Sequence, residues 1–408
     1  MSQAERSRAR DVPQVGVWDL LRVFFVIGLT SFGMAILQNI RSVPVRRGWL
    51  DQEEIDEGLA LVQLYPGAIM VDLVAFIGYR VRGVRGAVAA TVGFVTPALG
   101  LLLALSWAYW TYGTGPQFAE LAIGLNAIVV GVVANVTLDF ASRNTTGRLP
   151  AVLACGGFAV IELGANPLWA VLGGLVVGAV ALRQTDPNQN PSPDPASATV
   201  ATRRENRRRL ELASLPALTV IAAALGAVIV GGALAVLSVE MLKIGTIAFG
   251  NGATILPVLQ HDVVDTHHWV TNSQLGVGIG FGQITPGPML ITATFVGFHV
   301  AGWWGGILAA VAIFAPSVAM TTLAAETYRH IRRYPVTHGA LRGVMAVFVG
   351  LLATVLVTLG SPLLATPAAV VLGAAAFTAV RSLRWNSIVV FGAGLGAWAV
   401  YLVASGRI

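Results

Sequence analysis

Two short Pro-Gly segments carry the residues with the clearest chemical potential in this sequence. They read Gln63-Leu-Tyr-Pro66-Gly67 and Gln283-Ile-Thr-Pro286-Gly287-Pro288. Because proline disfavours the helical conformation in the residue before it and suits a first helical turn, each segment predicts that one helix ends and another begins. A helix N-terminus offers free N–H groups and a partial positive charge, and glycine lets a ligand approach the backbone. The two segments therefore predict a small-anion site with Gly67 and Gly287 at its centre.

Polar and glycine-rich residues around these segments extend the predicted site. The side-chain amides of Gln63 and Gln283 could donate to an anion, or they could cap the broken backbone. The hydroxyl groups of Thr285 and Thr292 could bind the ligand, although threonine in apolar helices usually bonds its own backbone. A second pair of helix breaks, expected to face the first pair, contains Phe32, Gly33, Phe249, Gly250, Asn251 and Gly252.

Ionisable residues near these breaks are candidates for charge neutralisation and energy coupling. Lys243 could neutralise an anion, or it could pair with Glu240 one turn earlier. Asp72 could carry a coupling proton. A basic group of three residues could steer anions to a cytoplasmic entrance or could act as topology anchors; it consists of Arg41, Arg46 and Arg47.

The amino-acid composition indicates whether these residues are surrounded by water or by lipid. Only 11% of the residues are charged and 55% are hydrophobic, whereas an average soluble domain has about 25% charged residues. The sequence therefore predicts an all-α polytopic membrane protein and excludes a soluble enzyme or a nucleic-acid binder. No catalytic set is visible at membrane depth, so we expect no enzyme activity. The His261–His268 stretch has no regular ligand spacing, and we expect no metal and no cofactor.

Two halves of the chain repeat the same rare residues in the same order. The first half has Phe32-Gly33, Trp49, Pro66-Gly67, Phe76, Gly78 and Pro97, and the second has Phe249-Gly250, Trp269, Pro286-Gly287, Phe295, Gly297 and Pro316. We divide the chain into an N-terminal tail at 1–16, a first repeat at 17–183, a polar linker at 184–212, a connecting transmembrane helix at 213–237 and a second repeat at 238–408.

The arginine distribution predicts that the two repeats have opposite orientations. Arginines flank the 51–79 segment of the first repeat, at Arg46, Arg47 and Arg80, but the matching loops of the second repeat have no arginine or lysine. By the positive-inside rule the repeats are inverted, which is typical of secondary transporters built around broken helices. The same rule predicts that 17–37, 51–79 or both are re-entrant, or that together they form one in-and-out pair. The short half-helices after the two Pro-Gly segments are expected to meet near the membrane midplane. The positive-inside rule also predicts a cytoplasmic N-terminus and a C-terminus on the opposite side.

These motifs, together with Arg46-Arg47-Gly48-Trp49 and Ile291-Thr-Ala-Thr-Phe295, resemble the chromate ion transporter family in its two-domain long form. The resemblance implies a multi-pass protein of the bacterial inner membrane that exports chromate. It also implies a functional core in the Phe-Gly and Pro-Gly motifs. This sequence departs from the family pattern in three places. It has Gly33-Met34 where the family usually has Gly-Gly-Pro, and Pro66-Gly67-Ala68 where Pro-Gly-Pro is common. Asn251 separates the two glycines of the later Phe-Gly motif.

The leading hypothesis is therefore export of chromate, driven by the proton gradient or by anion exchange. Sulfate or another oxyanion as the main substrate is the alternative within the same class. An intramembrane enzyme or a sensor is the alternative from another class. The expected partners are the oxyanion and membrane lipid, without nucleic acid, and the sequence leaves a homodimer open.

Overall fold

The computed structural model describes residues 15–31, 34–113, 115–182, 211–223, 229, 231–249, 252–331 and 335–407. Within these ranges the regular structure is helical, without strands. The α-helices are α1 Val17–Thr30, α2 Met34–Arg46, α3 Gln52–Val62, α4 Ile69–Tyr112, α5 Pro116–Asn144, α6 Arg148–Glu162, α7 Pro167–Ala181, α8 Glu211–Ala223, α9 Ala233–Thr246, α10 Leu256–Gln260, α11 Asn272–Ile284, α12 Ala293–Ile331, α13 Pro335–Gly360, α14 Pro367–Arg381 and α15 Ser387–Ala404. Short 3-10 helices cover Ala253–Ile255, Met289–Thr292 and Ser361–Ala365, and a π-helix covers His261–Thr266.

Among the described residues, five helical segments are long and apolar enough to cross a membrane, and they correspond to α4, α5, α12, α13 and α15. Three further apolar helices, α7, α8 and α14, are shorter. The protein is thus an all-α polytopic membrane protein, as predicted. Helix α8 is described from Glu211 to Ala223, and α9 begins at Ala233, directly after Gly231 and Gly232. These two glycines have positive φ angles of 69° and 86°, a conformation that glycine adopts readily. Residues 233–237 consequently belong to α9.

The two longest helices are each sharply bent at a glycine. Helix α4 leaves helical geometry at Arg82 and Gly83, and α12 does so at Ala301 and Gly302. A Cβ atom added at Gly78 would overlap the carbonyl group of Gly86. In a straight helix residues eight apart are separated by about 12 Å, so the arms 69–81 and 84–112 must fold back on each other.

The second repeat folds back in the same way. A Cβ atom added at Gly297 would overlap the carbonyl group of Gly305, so the arms 293–300 and 303–331 of α12 also form a hairpin. The half-helix predicted after Pro66 is therefore the arm 69–81. It begins three residues later than expected, at Ile69, because Ala68 is still extended at ψ 97°.

Helix α3 and the arm 69–81 form a hairpin whose two ends lie together. The Phe76 ring packs against Gly58, and the Arg80 guanidinium binds the Glu54 carboxylate at 2.9 Å. Because Glu54 lies at the start of the hairpin and Arg80 at its end, both ends are on one side of the molecule. The 51–79 segment is thus re-entrant in form.

Helices α1 and α2 are anchored at the same side. Arg82 donates a hydrogen bond to the Val15 carbonyl, which precedes α1. Arg41, in the later part of α2, binds the Asp56 carboxylate of α3 at 2.7 Å. We call this side of the molecule, defined by Arg41, Arg80 and Arg82, the arginine face.

Matching contacts in the two halves demonstrate the duplication. Helix α1 crosses α4 with Gly28 against the Phe94 carbonyl, and α9 crosses α12 with Gly245 against the Ile313 carbonyl. Helices α3 and α11 begin with the same capping box, which pairs Asp51 with Glu54 and Thr271 with Gln274. Each half therefore contains two broken helix pairs packed on one long arm.

Contacts between the long arms show that the repeats are inverted. Tyr79, at the arginine face, donates to the Glu326 carboxylate at 2.8 Å, near the end of α12. Trp110, near the far end of α4, stacks on His299 with ring centroids 3.8 Å apart, just before the α12 kink. The arms 84–112 and 303–331 therefore run antiparallel, as the arginine pattern predicts.

Candidate functional site

The first break, residues 63–68, separates α3 from α4. Ala68 is the N-cap residue of α4, and its methyl side chain provides no hydrogen bond to the N–H groups of the first turn. The first helical hydrogen bond runs from the Asp72 N–H to the Ala68 carbonyl at 2.9 Å. The N–H groups of the first turn therefore point toward the break, as the first turn of a helix requires.

The second break, residues 285–288, separates α11 from the helical segment that continues into α12. Gly287 has a φ of 119°, which an L-residue rarely adopts. Pro288 is extended and provides no side-chain hydrogen bond to the turn that follows. The two breaks thus share an uncapped helix start, although the second begins with a 3-10 turn.

Each break lies beside the middle of the opposite repeat's long arm. A Cβ atom added at Gly287 would lie 3.0 Å from the Cβ atom of Ala98, at the midpoint of 84–112. The Tyr65 and Thr321 hydroxyl groups share a hydrogen bond at 2.7 Å, and Thr321 follows Pro316 in the arm 303–331. Because both arms belong to membrane-spanning helices, the breaks lie near mid-depth, in agreement with the predicted meeting of half-helices.

The side chain of Asp72 fills the space next to the first break. Asp72 is completely buried, and a Cβ atom added at Gly67 would overlap its carboxyl group. The hydroxyl groups of Ser317 and Thr321 face this carboxyl group. Neither of its oxygens, however, makes a well-formed hydrogen bond to the described part of the chain. The first break is therefore lined by an acid and hydroxyl groups from both repeats.

The polar residues predicted at the second break bind their own backbone. Thr285 donates to the Phe281 carbonyl at 2.6 Å, and Thr292 donates to the Met289 carbonyl at 2.9 Å. The Gln283 amide lies 3.4 Å from the Met289 sulfur, whereas Gln63 is exposed at the first break. Pro286 and Pro288 are buried, and Pro66 is half-buried.

Lys243 is engaged by two carboxylates, which is the ion-pair alternative. Its ammonium group binds Glu240 and lies 2.9 Å from the Asp262 carboxylate. Burial raises the pKa of Asp262, while the neighbouring Lys243 charge opposes that rise. His267 also approaches Glu240, at 3.3 Å. In this arrangement the Lys243 ammonium group is paired with carboxylates of the protein.

The remaining predicted residues are divided between the breaks and the arginine face. Gly252, at φ 89°, packs against Leu290, so the glycine-rich break of the second repeat contacts its Pro-Gly break. Phe249 is held at this turn by hydrogen bonds to the Thr254 hydroxyl. Arg46 and Arg47 are exposed. Four predicted residues lie outside the described ranges, namely Phe32, Gly33, Gly250 and Asn251.

A cavity of about 890 Å³ opens at the arginine face. It is lined by Arg80, Arg82, Arg85, Glu54, Tyr79 and Glu326, together with Leu212 and Leu215 of α8. From its position in the sequence, Arg80 is predicted only as a topology marker, and no motif points to Tyr65, Ser317 or Thr321 at the first break. Ser317 and Thr321 are four residues apart and therefore lie on one face of the helix, which is the sequence signal for a polar lining at this position.

Comparison with known proteins is consistent with this architecture. Relatives include an uncharacterized transporter of Methanocaldococcus jannaschii, 29% identical over 81% of each chain. A probable chromate transport protein of Synechococcus elongatus is 27% identical over 85% of this chain and 86% of its own. A chromate transport protein of Pseudomonas aeruginosa is 26% identical over 95% of this chain and 94% of its own. No solved structure matches this chain. The chromate transporter family matches both halves, at residues 18–179 and 235–399, and the chain belongs to that family.

Proposed function

We propose that this protein is a secondary transporter that moves chromate, or a closely similar tetrahedral oxyanion, across the membrane. The observation that carries the proposal is the pair of uncapped helix starts beside the middles of opposite long arms. Unpaired backbone N–H groups are costly at membrane depth unless they line a cavity or bind a ligand. A helix N-terminus favours an anion through its donors and its dipole.

The choice of chromate rests on the relatives. Chromate transport proteins of two organisms are similar to this chain over most of its length. Chromate and sulfate are both tetrahedral dianions, so a site made of backbone N–H groups would accept either one. In this proposal the ligand contacts the backbone around Gly67 and Gly287, because glycine leaves the peptide groups accessible.

The inverted repeat suggests the transport cycle. In transporters of this kind one set of elements rocks against the other, so that a site near the midplane opens to each side in turn. The cavity at the arginine face, with Arg80, Arg82 and Arg85 in its lining, would serve as the vestibule for an anion because its basic residues attract negative charge. We place this face in the cytoplasm by the positive-inside rule and propose export from a bacterial inner membrane.

The proposed orientation puts the C-terminus outside. The arm 84–112 of α4 runs from the arginine face to the opposite side, where α5 begins. Arg407 binds the Glu120 carboxylate at 3.2 Å, and the Trp398 indole donates to the Glu120 carbonyl. These contacts support a C-terminus on the side opposite the arginine face. A reporter enzyme that is active only outside the cytoplasm should be active when it is fused after Ile408. Activity of a reporter that works only in the cytoplasm would contradict this orientation.

Uptake of radiolabelled chromate into everted inner-membrane vesicles tests the function. Export from cells corresponds to uptake by everted vesicles, so vesicles containing the protein should accumulate chromate above those from cells without it. Unlabelled sulfate should compete because the two ions share geometry and charge. Sulfate uptake without chromate uptake would reverse the substrate assignment. The absence of uptake for every oxyanion tested would reject the transporter class.

A further inference from the structure

The two breaks are equivalent in backbone but different in chemistry. Asp72 follows the first break, whereas the corresponding stretch of the second repeat, 290–294, contains no ionisable residue. In the repeat alignment Ser317 and Thr321 correspond to Ala98 and Leu102. The acid of the first break therefore has no ionisable counterpart at the second, and its two hydroxyl groups are matched there by the apolar side chains of Ala98 and Leu102.

The Asp72 carboxyl group is buried, and the described groups that face it are neutral hydroxyl groups with no cation among them. Its two oxygens and the Ser317 hydroxyl have no well-formed hydrogen bond within the described residues. A buried ionised carboxylate without partners is strongly disfavoured, whereas the neutral acid is much less costly and can donate to an acceptor. The geometry at this break is therefore that of a group that holds a proton.

The position of Asp72 links this proton to the anion. Its carboxyl group lies directly against Gly67, beside the N–H groups of the first turn of α4. An ionised Asp72 would repel a dianion at those N–H groups, while a protonated Asp72 would not and could donate a hydrogen bond to it. Tyr65, which faces Asp72, is the titratable neighbour among the described residues, and Ser317 and Thr321 contribute neutral hydroxyl groups.

We infer that the first break binds its anion only together with a proton on Asp72, so that one proton moves with the anion in each cycle, while the second break binds without a proton. This inference rests on the proposed function, because it assigns the coupling of that same site. Binding of the two ions is mutually favourable, since any coupling between two ligands acts equally in both directions. In the inference, the proton leaves Asp72 together with the anion on the side where the site opens to water, because a hydrated carboxylate is no longer disfavoured. The carboxylate then excludes another dianion until it is protonated again.

Purified full-length protein in proteoliposomes tests the inference through two readouts. Initial rates of chromate uptake, measured at several alkaline pH values at which chromate remains a dianion, give the KM. A pH-sensitive dye trapped inside reports proton entry. For the unmodified protein the KM should rise with pH, approaching about tenfold per pH unit once Asp72 loses its proton, and chromate entry should acidify the interior.

The Asp72→Asn variant carries a side chain that resembles protonated Asp72 and stays neutral at every pH. It should transport chromate with a KM that is independent of pH and without acidifying the interior. Asp139→Asn is the matched control, because Asp139 is a partly exposed carboxylate paired with Arg143; it should keep the pH dependence and the proton movement. If Asp72→Asn does not fold, Ser317→Ala should shift the pH at which the KM begins to rise.

The possible failures are distinguishable. Chromate uptake by the unmodified protein without pH dependence or acidification would overturn the inference and leave the proposed function standing. An Asp72→Asn variant that keeps the original pH dependence of the KM and the proton movement would also overturn the inference and leave the proposed function standing. Failure of the unmodified protein to transport any oxyanion at any pH would instead reject the proposed function.

Discussion

Replacing Gly287 with alanine tests the second break most directly. Its φ of 119° is unfavourable for an L-residue, and the new Cβ atom would lie 3.0 Å from the Ala98 Cβ atom. A non-glycine residue in such a sparsely populated backbone region costs about 1–3 kcal/mol, and the break must also shift by a few tenths of an ångström. Such a shift would misdirect the N–H groups that we assign to the anion. Losing one hydrogen bond to a charged ligand costs about 1.5–3 kcal/mol, which corresponds to roughly a 10- to 150-fold rise in KM.

The assay combines chromate uptake rates with the thermal stability of the purified variant. Gly302→Ala is the matched control, because Gly302 has a φ of 59° with nothing near its Cβ position; it adds backbone strain away from the break. Gly302→Ala should therefore lower stability without raising the KM. Adding Ala98→Gly to Gly287→Ala removes the steric contact and should recover part of the affinity. A Gly287→Ala protein with an unchanged KM, or an equal rise in Gly302→Ala, would refute the assignment of the second break.

Three further outcomes follow from the fold. Gly297→Ala should greatly reduce the amount of folded protein in membranes, since its Cβ atom would overlap the Gly305 backbone and backbone cannot easily yield; immunoblots of the membrane fraction measure this. Arg80→Ala should lower the free energy of unfolding by less than about 1 kcal/mol, because its ion pair is partly exposed; denaturant titration in detergent checks the value. Single cysteines at Arg85 and Trp304, in a variant without the native cysteine, should react with impermeant reagents from opposite sides of the membrane.

The breaks and the inversion were predictable because their signals are local. A Pro-Gly pair limits the backbone wherever it occurs, and arginine-rich loops report their side of the membrane residue by residue. The apolar run around Gly231-Gly232 shows the limit of this reasoning. Hydropathy averaged over about 20 residues indicated one helix, although the two glycines were the signal for a break.

The polar lining of the first break was not predictable from either repeat alone. Tyr65 and Thr321 are separated by 256 positions in the sequence, and they meet only because the repeats pack antiparallel. The lone Asp72 was recognisable as a functional candidate, but its neighbours depended on the register between two long arms. Likewise, the partners of Lys243 included Asp262, which the sequence places in a separate cluster of acids and histidines.

The two faces of the molecule differ in a way that fits one state of a transport cycle. At the arginine face a cavity of about 890 Å³ separates the helix ends. On the opposite side aromatic rings from both repeats are packed together: Trp110 lies 5.2 Å from the Phe295 ring and 3.8 Å from the His299 ring, between centroids. Because Trp110 belongs to α4 and the other two rings to α12, this contact must separate if the repeats rock apart on that side. If the protein transports its anion as we propose, this arrangement of the described residues corresponds to a state that is open at the arginine face and closed at the other.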